Sequence, residues 1–369
     1  MPRRIGLFIA IVQSILILAH LFVYETWVAF HPAASVEEIL RLRVATIVLS
    51  FIFIAASLLA WRVNNVPVRI FYTLAAVWLG FLDLFFMAAF VCWIAYAIVY
   101  AARLPVTQSQ IANTVFGLAL LAGVYAIVNA SWTRVHRITV KLPNLPEAWR
   151  GRVAALVSDM HLGHVRNVGF MRRVVHMLQR VKPDMVFVTG DMYDGTMVDV
   201  DKVAQPWSEF AAPLGVYFVL GNHEEFTGHD KYVRAVQRVG LRVLDSQKID
   251  IDGLQIIGVH FIDAANPARF RASLQGAALD PTRPSILLSH APDHLAIPEE
   301  EGVSLQLSGH THGGQFPPFS WMTTRVYGKY VHGLQRFGKM QVFTNWGAGT
   351  WGPPMRLGTQ SEIVLIKFE

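Results

Sequence analysis

An aspartate and a histidine follow a short apolar run near the middle of the chain. Val153–Val157 is apolar throughout, and Asp159 and His161 come directly after it, one residue apart. A carboxylate oxygen and an imidazole nitrogen are common metal ligands, whereas a buried strand has no use for such a pair at its end. The pair therefore indicates that the carboxyl end of a strand contributes to a metal site.

Four further polar clusters follow predicted strands in the same way. They are Gly190-Asp191, Gly221-Asn222-His223-Glu224, Ser289-His290 and Gly309-His310-Thr311-His312. Ligands of open α/β sheets bind at the carboxyl ends of the strands, so we expect the five clusters to converge on one crevice. Each cluster alone is weak evidence, because a Gly-Asp pair is ordinary in turns. The set, in this order and after strands, is specific.

The five clusters contain more candidate ligands than one tetrahedral ion needs. The candidates are two aspartates, one asparagine and four histidines: Asp159, Asp191, Asn222, His161, His290, His310 and His312. Such a set suits two divalent ions a few ångströms apart that share a bridging carboxylate. Mixed nitrogen and oxygen ligands are compatible with Mn, Zn, Fe or Mg.

The order and spelling of these clusters resemble the calcineurin-like metallophosphoesterase superfamily over about residues 152–369, with every motif position present. The resemblance implies two metal shells that Asp191 bridges: Asp159, His161 and His312 for one ion, and Asn222, His290 and His310 for the other. It also implies that His223 is a catalytic histidine that does not bind metal. The fold implied is a four-layer α/β/β/α sandwich.

The pattern of elements in this region agrees with that fold. Strands and helices alternate first: strands at 153–157, 185–188 and 216–220, and helices at 168–181, 202–211 and about 229–239. Short apolar runs then dominate, at 241–244, 254–259, 286–288, 303–307, 341–343 and 363–368. This order favours two mixed sheets with helices outside.

The N-terminal part of the chain is typical of a membrane protein. Only 16% of residues are charged, against about 25% in average globular chains. A spanning helix needs roughly 20 apolar residues, and four runs are long enough: 5–24, 44–61, 70–101 and 111–130. We interpret 70–101 as one span, because it contains no proline and only Gly80. Asp83 within it is either near the interface, hydrogen-bonded between helices, or functional.

These features predict a transmembrane helical domain at 1–130, a basic linker at 131–150 and a phosphoesterase domain at 151–369. Basic residues flank cytoplasmic ends of spans. Eight lie on one side: Arg3, Arg4, Arg62, Arg69, Arg134, Arg137, Lys141 and Arg150. Three lie on the other: Arg41, Arg43 and Arg103. The split predicts an integral protein of the bacterial inner membrane with a cytoplasmic catalytic domain. The net charge of +6 is too small to indicate specific nucleic-acid binding.

Several residues near the clusters have open roles. The run Trp346–Arg356 resembles the membrane-associated bacterial branch of the superfamily, so Arg356 is a candidate for contact with substrate, although such a loop is often only a turn. His164 is a candidate for substrate contact. Asp194 either orients a ligand or caps a turn. The aromatic segment 316–330 is either a packed covering loop or a lid that holds an acyl chain or touches the bilayer.

The resemblance implies a membrane-anchored phosphohydrolase that uses a metal-bridging hydroxide. Its substrates would be phosphodiesters or pyrophosphates, including a phospholipid or a lipid-linked nucleotide, and its partner would be the bilayer. Two alternatives stay open: a catalytically idle metal-binding scaffold, and a membrane sensor in which Asp83 takes part.

Overall fold

The computed structural model describes residues 2–226 and 228–369, with side chains from residue 6 onward. Its first part consists of four long helices: α1 (Pro2–Phe30), α2 (Val36–Ala60), α3 (Val66–Ala101) and α4 (Gln108–Ser131). All four are long and apolar enough to cross a membrane, which confirms the predicted set of four apolar helices. The side chains of Arg3 and Arg4, used in the charge argument, lie outside the described residues.

The helix starts follow from local capping chemistry. Ser35 and Glu38 form a reciprocal capping box at the start of α2, in which the backbone N–H of Ser35 donates to the Glu38 carboxylate at 2.8 Å. Asn65 accepts the backbone N–H of Val68 at 2.9 Å before α3. These side chains satisfy N–H groups that a helix start leaves without intrahelical acceptors.

Helix α3 is continuous over 36 residues, which corresponds to about 54 Å at 1.5 Å per residue. That length exceeds a hydrocarbon core of about 30 Å, so α3 tilts or extends beyond it. Asp83 lies at the middle of this helix rather than near an end, and its Oδ2 is enclosed with no hydrogen-bond partner among the described residues.

Small side chains allow the helices to pack closely. One buried cluster in this part contains Phe30, Ala88, Ala89, Cys92, Ile111, Ala112 and Phe116. Alanine at helix contacts lets backbones approach, which is the usual basis of helix association in lipid. Many large apolar side chains elsewhere on the four helices are exposed, as expected for surfaces that face acyl chains.

The second part contains two six-stranded mixed sheets. The strands are β1 (Arg134–Val140), β2 (Val153–Val157), β3 (Met185–Thr189), β4 (Val216–Val219), β5 (Arg242–Val243), β6 (Gln247–Ile251), β7 (Leu254–Gly258), β8 (Ser285–Leu288), β9 (Leu305–Ser308), β10 (Gly333–Phe337), β11 (Met340–Thr344) and β12 (Glu362–Phe368). The first sheet has the order β1-β12-β2-β3-β4-β5, and the second has the order β10-β11-β9-β8-β7-β6.

Eight helices accompany these sheets: α5 (Val168–Val181), α6 (Val200–Ala204), α7 (Asn222–Glu225), α8 (Asp230–Arg238), α9 (Phe261–Ala264), α10 (Pro267–Gly276), α11 (Ala296–Glu300) and α12 (Phe319–Tyr327). Three apolar cores separate the layers. One joins the first sheet to α5, α6 and α8, one lies between the sheets, and one joins the second sheet to α9, α10 and α11. The predicted α/β/β/α sandwich is therefore confirmed.

The segment expected to be a linker contains a strand. Arg134–Val140 forms β1, which pairs in parallel with β12 from Arg134 opposite Glu362 to Val140 opposite Phe368. The basic residues and Pro143 and Pro146 made this stretch look irregular. However, Ile138 and Val140 alternate with Arg137 and Thr139, which suits a strand at a sheet edge. Its pairing partner lies more than 200 positions along the chain.

Other boundaries also moved for local reasons. The helix expected at 202–211 is instead α6 followed by a 3-10 turn at Gln205–Glu209. Pro206 at that junction has no backbone N–H to continue the α-helical bonds. Strands β6 and β10 and helices α7, α9, α10, α11 and α12 were not predicted from the sequence.

The chain divides into two compact units, and each unit combines two separate stretches of the sequence. One unit comprises residues up to Val128 together with Gly352–Leu357, and the other comprises Asn129–Trp351 together with Gly358–Glu369. Within the first unit, the backbone N–H of Arg356 donates to the carbonyl of Ala126 at 3.0 Å. Gly80 of α3 contacts Met355, and a Cβ at Gly80 would collide with its sulfur.

Candidate metal centre

The five polar clusters converge beyond the carboxyl ends of β2, β3, β4, β8 and β9. One group of side chains there contains Asp159, His161 and His312. Nε2 of His161 lies 2.9 Å from Nε2 of His312, and Nε2 of His312 lies 3.5 Å from Oδ1 of Asp159. All three side chains are almost fully buried.

A second group contains Asp191, Asn222, His290 and His310. Nε2 of His290 lies 3.3 Å from Oδ2 of Asp191 and 3.1 Å from Nδ1 of His310. Oδ1 of Asn222 lies 3.0 Å from each of those two imidazole nitrogens. Four potential ligand atoms thus surround one small volume.

Asp191 lies close to the ligand atoms of both groups. Its Oδ2 is 3.3 Å from Nε2 of His290 in the second group and 3.7 Å from Nε2 of His161 in the first. The same oxygen is 4.0 Å from Nε2 of His223. A carboxylate at this position is suited to bridge two cations.

The donor set fits divalent metal ions. At ligand distances of about 2.1 Å, neighbouring ligands stand about 3.0 Å apart in octahedral and about 3.4 Å apart in tetrahedral geometry. The distances within each group span this range. In addition, Nδ1 of His290 donates to the carbonyl of Thr189 at 2.8 Å, which leaves the lone pair of Nε2 directed at the group.

Left-handed backbone conformations turn the ligands toward one another. Five of the seven candidate ligands have positive φ: Asp159 at 50°, His161 at 47°, Asp191 at 50°, His310 at 70° and His312 at 49°. This region costs a residue with a Cβ about 1–2 kcal/mol, and such strain is concentrated at functional sites. Five such residues lie at one crevice. Their strained backbone conformations direct the ligand side chains toward one another.

Glu224 supports the loops that carry the ligands. Its buried carboxylate accepts backbone N–H groups from Asp191 at 3.0 Å, Tyr193 at 3.0 Å and Gly221 at 2.8 Å. It therefore ties the loop after β3 to the loop after β4. Glu224 lies in one of the five polar clusters of the sequence, but the sequence pattern predicted no role for it.

Burial and neighbouring charges shift the pKa values of several side chains in the cluster. Burial raises the pKa of Asp159 to about 7. Burial also opposes ionisation of Asp191, but the positive charge of His290 outweighs it and holds the pKa of Asp191 below its usual range. Although burial opposes protonation of His290, Asp191 raises the pKa of His290 to about 10. Burial and the neighbouring His290 lower the pKa of His310 to about 4.

These opposite shifts mean that the cluster holds positive charge beside Asp191 while excluding further protons from His310. A divalent cation would supply that positive charge in place of a proton, because metal ligands bind in their deprotonated forms.

His223 is held at the edge of both groups. Its Nδ1 donates to the backbone carbonyl of Asp194 at 2.8 Å, so its Nε2 faces Asp191. Its ring lies 4.6 Å from the ring of His161, at 83°. The ring is therefore oriented by the backbone, with one nitrogen directed at the crevice.

The other predicted site residues have different surroundings. The side chain of Asp194 accepts the backbone N–H of Thr196 at 2.8 Å, as in a turn cap, while its carbonyl holds His223. His164 is buried, with Nδ1 3.1 Å from Oγ1 of Thr196. Arg356 belongs to the segment 352–357 that groups with the helices, so its contact with substrate stays a prediction.

Aromatic side chains stand around the cluster, and two of them, Phe226 and Phe261, were not singled out from the sequence. The rings of Phe226 and Trp351 lie 4.5 Å and 6.2 Å from the ring of His223. On the other side, the ring of Phe261 lies 5.7 Å from that of His290. The ring of Tyr327 lies 6.2 Å from that of His310. The contacts of Trp351, Phe261 and Tyr327 join separate segments of the chain, whereas Phe226 follows His223 by three residues.

A third group of potential ligands lies outside the five clusters' ligand set. It consists of Glu225, His229 and His260. Nδ1 of His260 accepts the backbone N–H of Ile262 at 3.2 Å, so the neutral ring carries its proton on Nε2. That nitrogen lies 3.3 Å from Oε1 of Glu225, which accepts no hydrogen bond among the described residues.

These features define a protein with four potential membrane-spanning helices and an α/β/β/α domain that carries a candidate metal centre. The model of the family described as "Calcineurin-like phosphoesterase" matches residues 153–314. An uncharacterized metallophosphoesterase of Aquifex aeolicus is 32% identical over 258 residues, which cover 68% of this chain and 98% of that protein. The chain therefore belongs to the calcineurin-like phosphoesterase family.

The printed name of another relative mentions both a transmembrane part and a metallophosphoesterase domain. A "Transmembrane protein with metallophosphoesterase domain" of Danio rerio is 28% identical over 287 residues, covering 72% of this chain and 65% of that protein. Among solved structures, a dimetal phosphatase from Danio rerio matches with a TM-score of 0.38 and 12% identity, over 54% of this chain and 88% of that chain.

Proposed function

We propose that this protein is a membrane-anchored phosphohydrolase that works with two divalent metal ions. The observation that supports this most directly is Asp191, whose Oδ2 lies within 3.7 Å of imidazole nitrogens from both ligand groups. In the proposal, Asp159, His161 and His312 hold one ion, Asn222, His290 and His310 hold the other, and Asp191 bridges them.

Two bound ions would lower the pKa of a water molecule to produce the nucleophile and would neutralise charge on the phosphoryl oxygens. The protein residues hold the ligands in place before substrate binds, through Glu224 and through the carbonyl of Thr189. Burial of the cluster limits competing water and strengthens its electrostatic interactions.

His223 acts on the leaving group in this proposal. Its Nδ1–H is engaged by the carbonyl of Asp194, so a proton on Nε2 can be donated to the departing alkoxide. A histidine suits this step because its ordinary pKa is close to neutral pH. A scaffold that only bound metal would not need a histidine oriented in this way.

The substrate class is a phosphodiester or pyrophosphate, including lipid-linked ones. The four apolar helices anchor the protein in a membrane, and the excess of basic residues on one side supports a cytoplasmic catalytic domain at a bacterial inner membrane. The ions are Mn, Zn, Fe or Mg, since the mixed donor set accepts each of them.

Hydrolysis of an aryl phosphodiester by the purified full chain with Mn²⁺ tests the proposal. Asp191→Asn should remove both metal occupancy and activity, because the amide lacks the bridging charge. Asp201→Asn is the matched control, since Asp201 is exposed and pairs with Arg238. Undiminished metal content and activity in Asp191→Asn would contradict the proposed bridge. Metal binding by the unmodified chain without any hydrolysis would instead leave the scaffold alternative.

A further inference from the structure

Helix α12 presents its apolar side chains outward. Phe319, Met322 and Val326, at i, i+3 and i+7, are 47%, 61% and 73% exposed. The adjacent face, which is turned toward the domain, carries Ser320, Thr323 and Tyr327 with the same spacing, and these residues are half-buried. A helix on a soluble domain normally places its apolar stripe toward the core, so the polarity of α12 is inverted.

The orientation of α12 is set by its attachment to the domain. The backbone of Phe319 packs so closely on Gly314 that a Cβ at Gly314 would collide with it. The backbone N–H of Ser320 donates to the carbonyl of the buried Phe316 at 3.1 Å. At the other end, the ring of Tyr327 lies near that of His310. Rotating the helix to bury its apolar face would break these contacts.

Two further exposed aromatic residues stand beside the candidate catalytic histidine. Phe226 is 58% exposed and Trp351 is 60% exposed, and both rings lie close to His223. Trp321 of α12 is also 62% exposed. Exposed apolar surface next to a polar site marks a contact with a partner or a membrane.

The charge of this region favours an anionic surface. Between Glu301 and Glu362 the sequence contains no acidic residue. The exposed charged residues of α12 and the turn after it are Arg325 and Lys329. Arg336 and Lys339 lie on the β10–β11 hairpin near Glu299, and the half-buried Asp293 lies near Tyr327. Basic residues next to exposed tryptophan and aliphatic side chains are typical of helices that lie in the interface of a bilayer with anionic lipids.

We propose that α12 docks on the bilayer, with Phe319, Met322 and Val326 inserted among the lipids and Arg325 and Lys329 at the headgroups. The chain carries four helices that are apolar enough to span a membrane, so the domain that bears α12 is covalently tethered to them. Because α12 adjoins the candidate metal centre, docking would deliver a phosphate ester held in the bilayer. This substrate assignment rests on the proposed hydrolase function, whereas the docking itself does not.

Position-specific fluorescence quenching tests the docking without any assay of activity. Cys92 is the single cysteine, so Cys92→Ser provides a background for Val326→Cys and for the control Ser208→Cys, both at exposed positions. The full chain is labelled with a fluorophore and reconstituted in vesicles of phosphatidylcholine and phosphatidylglycerol. Quenching is then measured with spin-labelled acyl chains and with aqueous iodide.

We expect the label at 326 to be quenched by spin-labelled lipid about tenfold more than the label at 208, with the reverse order for iodide. Equal iodide quenching at both positions would overturn the proposal, because α12 would face water. Protection of position 326 from both quenchers would also overturn it, since a second copy or another protein would then cover the helix.

A second experiment tests delivery of substrate. It compares hydrolysis of a phosphodiester lipid in vesicles with hydrolysis of a soluble aryl phosphodiester. In Met322→Asp/Val326→Asp the ratio of lipid to soluble rate should fall about tenfold, since charged side chains replace inserted apolar ones. The control Thr324→Asp adds a charge outside the apolar stripe and should leave the ratio within about twofold. Equal falls in both variants would contradict insertion.

The outcomes separate the two proposals. Absence of any soluble hydrolysis by the unmodified chain would contradict the hydrolase function, while the quenching result would still decide whether α12 docks.

Discussion

The carboxylate of Asp191 accepts the backbone N–H of His223 through Oδ1 at 2.9 Å, and its Oδ2 faces the imidazoles of both ligand groups. One carboxylate therefore positions the candidate catalytic histidine and occupies the bridging position at the same time. His223 is further fixed by the carbonyl of Asp194. The geometry of the proposed proton donor thus depends on the same loop that supplies the proposed bridge.

Replacing His223 with alanine should lower turnover while the metals stay bound. In the proposal His223 donates a proton but is not a ligand, so we expect a loss of roughly 10²–10⁴-fold in kcat. Metal content by elemental analysis and steady-state kinetics check this. His229→Ala is the control, because His229 lies outside the two ligand groups. A variant that loses metal as well as activity would contradict the assigned role.

Replacing Glu224 with glutamine should weaken both the fold and the metal site. The amide keeps the shape of the side chain but turns one acceptor into a donor that faces backbone N–H groups. A buried donor without an acceptor costs about 1–3 kcal/mol, so the thermal midpoint of unfolding and the metal affinity should both fall. Glu209→Gln is the control at an exposed position. Unchanged stability in Glu224→Gln would show that its three hydrogen bonds contribute little.

Arg166 should contribute to stability through the end of α4. Its buried guanidinium donates to the carbonyl of Ala130 at 2.8 Å and lies over the ring of Phe170. Burial lowers the pKa of Arg166 to about 10, so it remains charged near neutral pH. Arg166→Met keeps most of the volume but loses the charged hydrogen bond, which is worth about 1.5–3 kcal/mol.

Thermal unfolding in detergent measures the effect of Arg166→Met against the exposed control Arg172→Met. The control should unfold within a degree or two of the unmodified chain, since exposed charges contribute little. Equal midpoints for both variants would mean that the Arg166 bond is replaced by water.

Gly80 should be intolerant of any larger side chain. A Cβ at this position would collide with the sulfur of Met355, whereas one at Gly117 would meet no atom within 4 Å. Overpacking of this kind typically costs about 1–3 kcal/mol. Gly80→Ala should therefore lower the unfolding midpoint, while Gly117→Ala in α4 should raise it slightly through helix propensity. Restoration by Met355→Ala in the Gly80→Ala background would locate the clash.

Much of the fold could be predicted because the relevant information is local. The apolar runs identified the four helices, and polar residues directly after strands identified the crevice. Boundaries that depended on distant partners were missed. Strand β1 pairs with β12, and residues 134–140 alone do not identify that partner. The inversion of α12 was missed for a related reason, since exposure of its apolar face is set by how Gly314 and Phe316 attach it.

The sequence by itself determined which ligand types are present and in what order they leave the strands, because each follows its strand directly. Only the tertiary structure decided that Oδ2 of Asp191 lies between the two groups, that backbone carbonyls orient His223 and His290, and that residues 352–357 group with the helices. These are contacts between segments far apart in the chain. They depend on the packing of the sheets and helices as a whole, which no local pattern encodes.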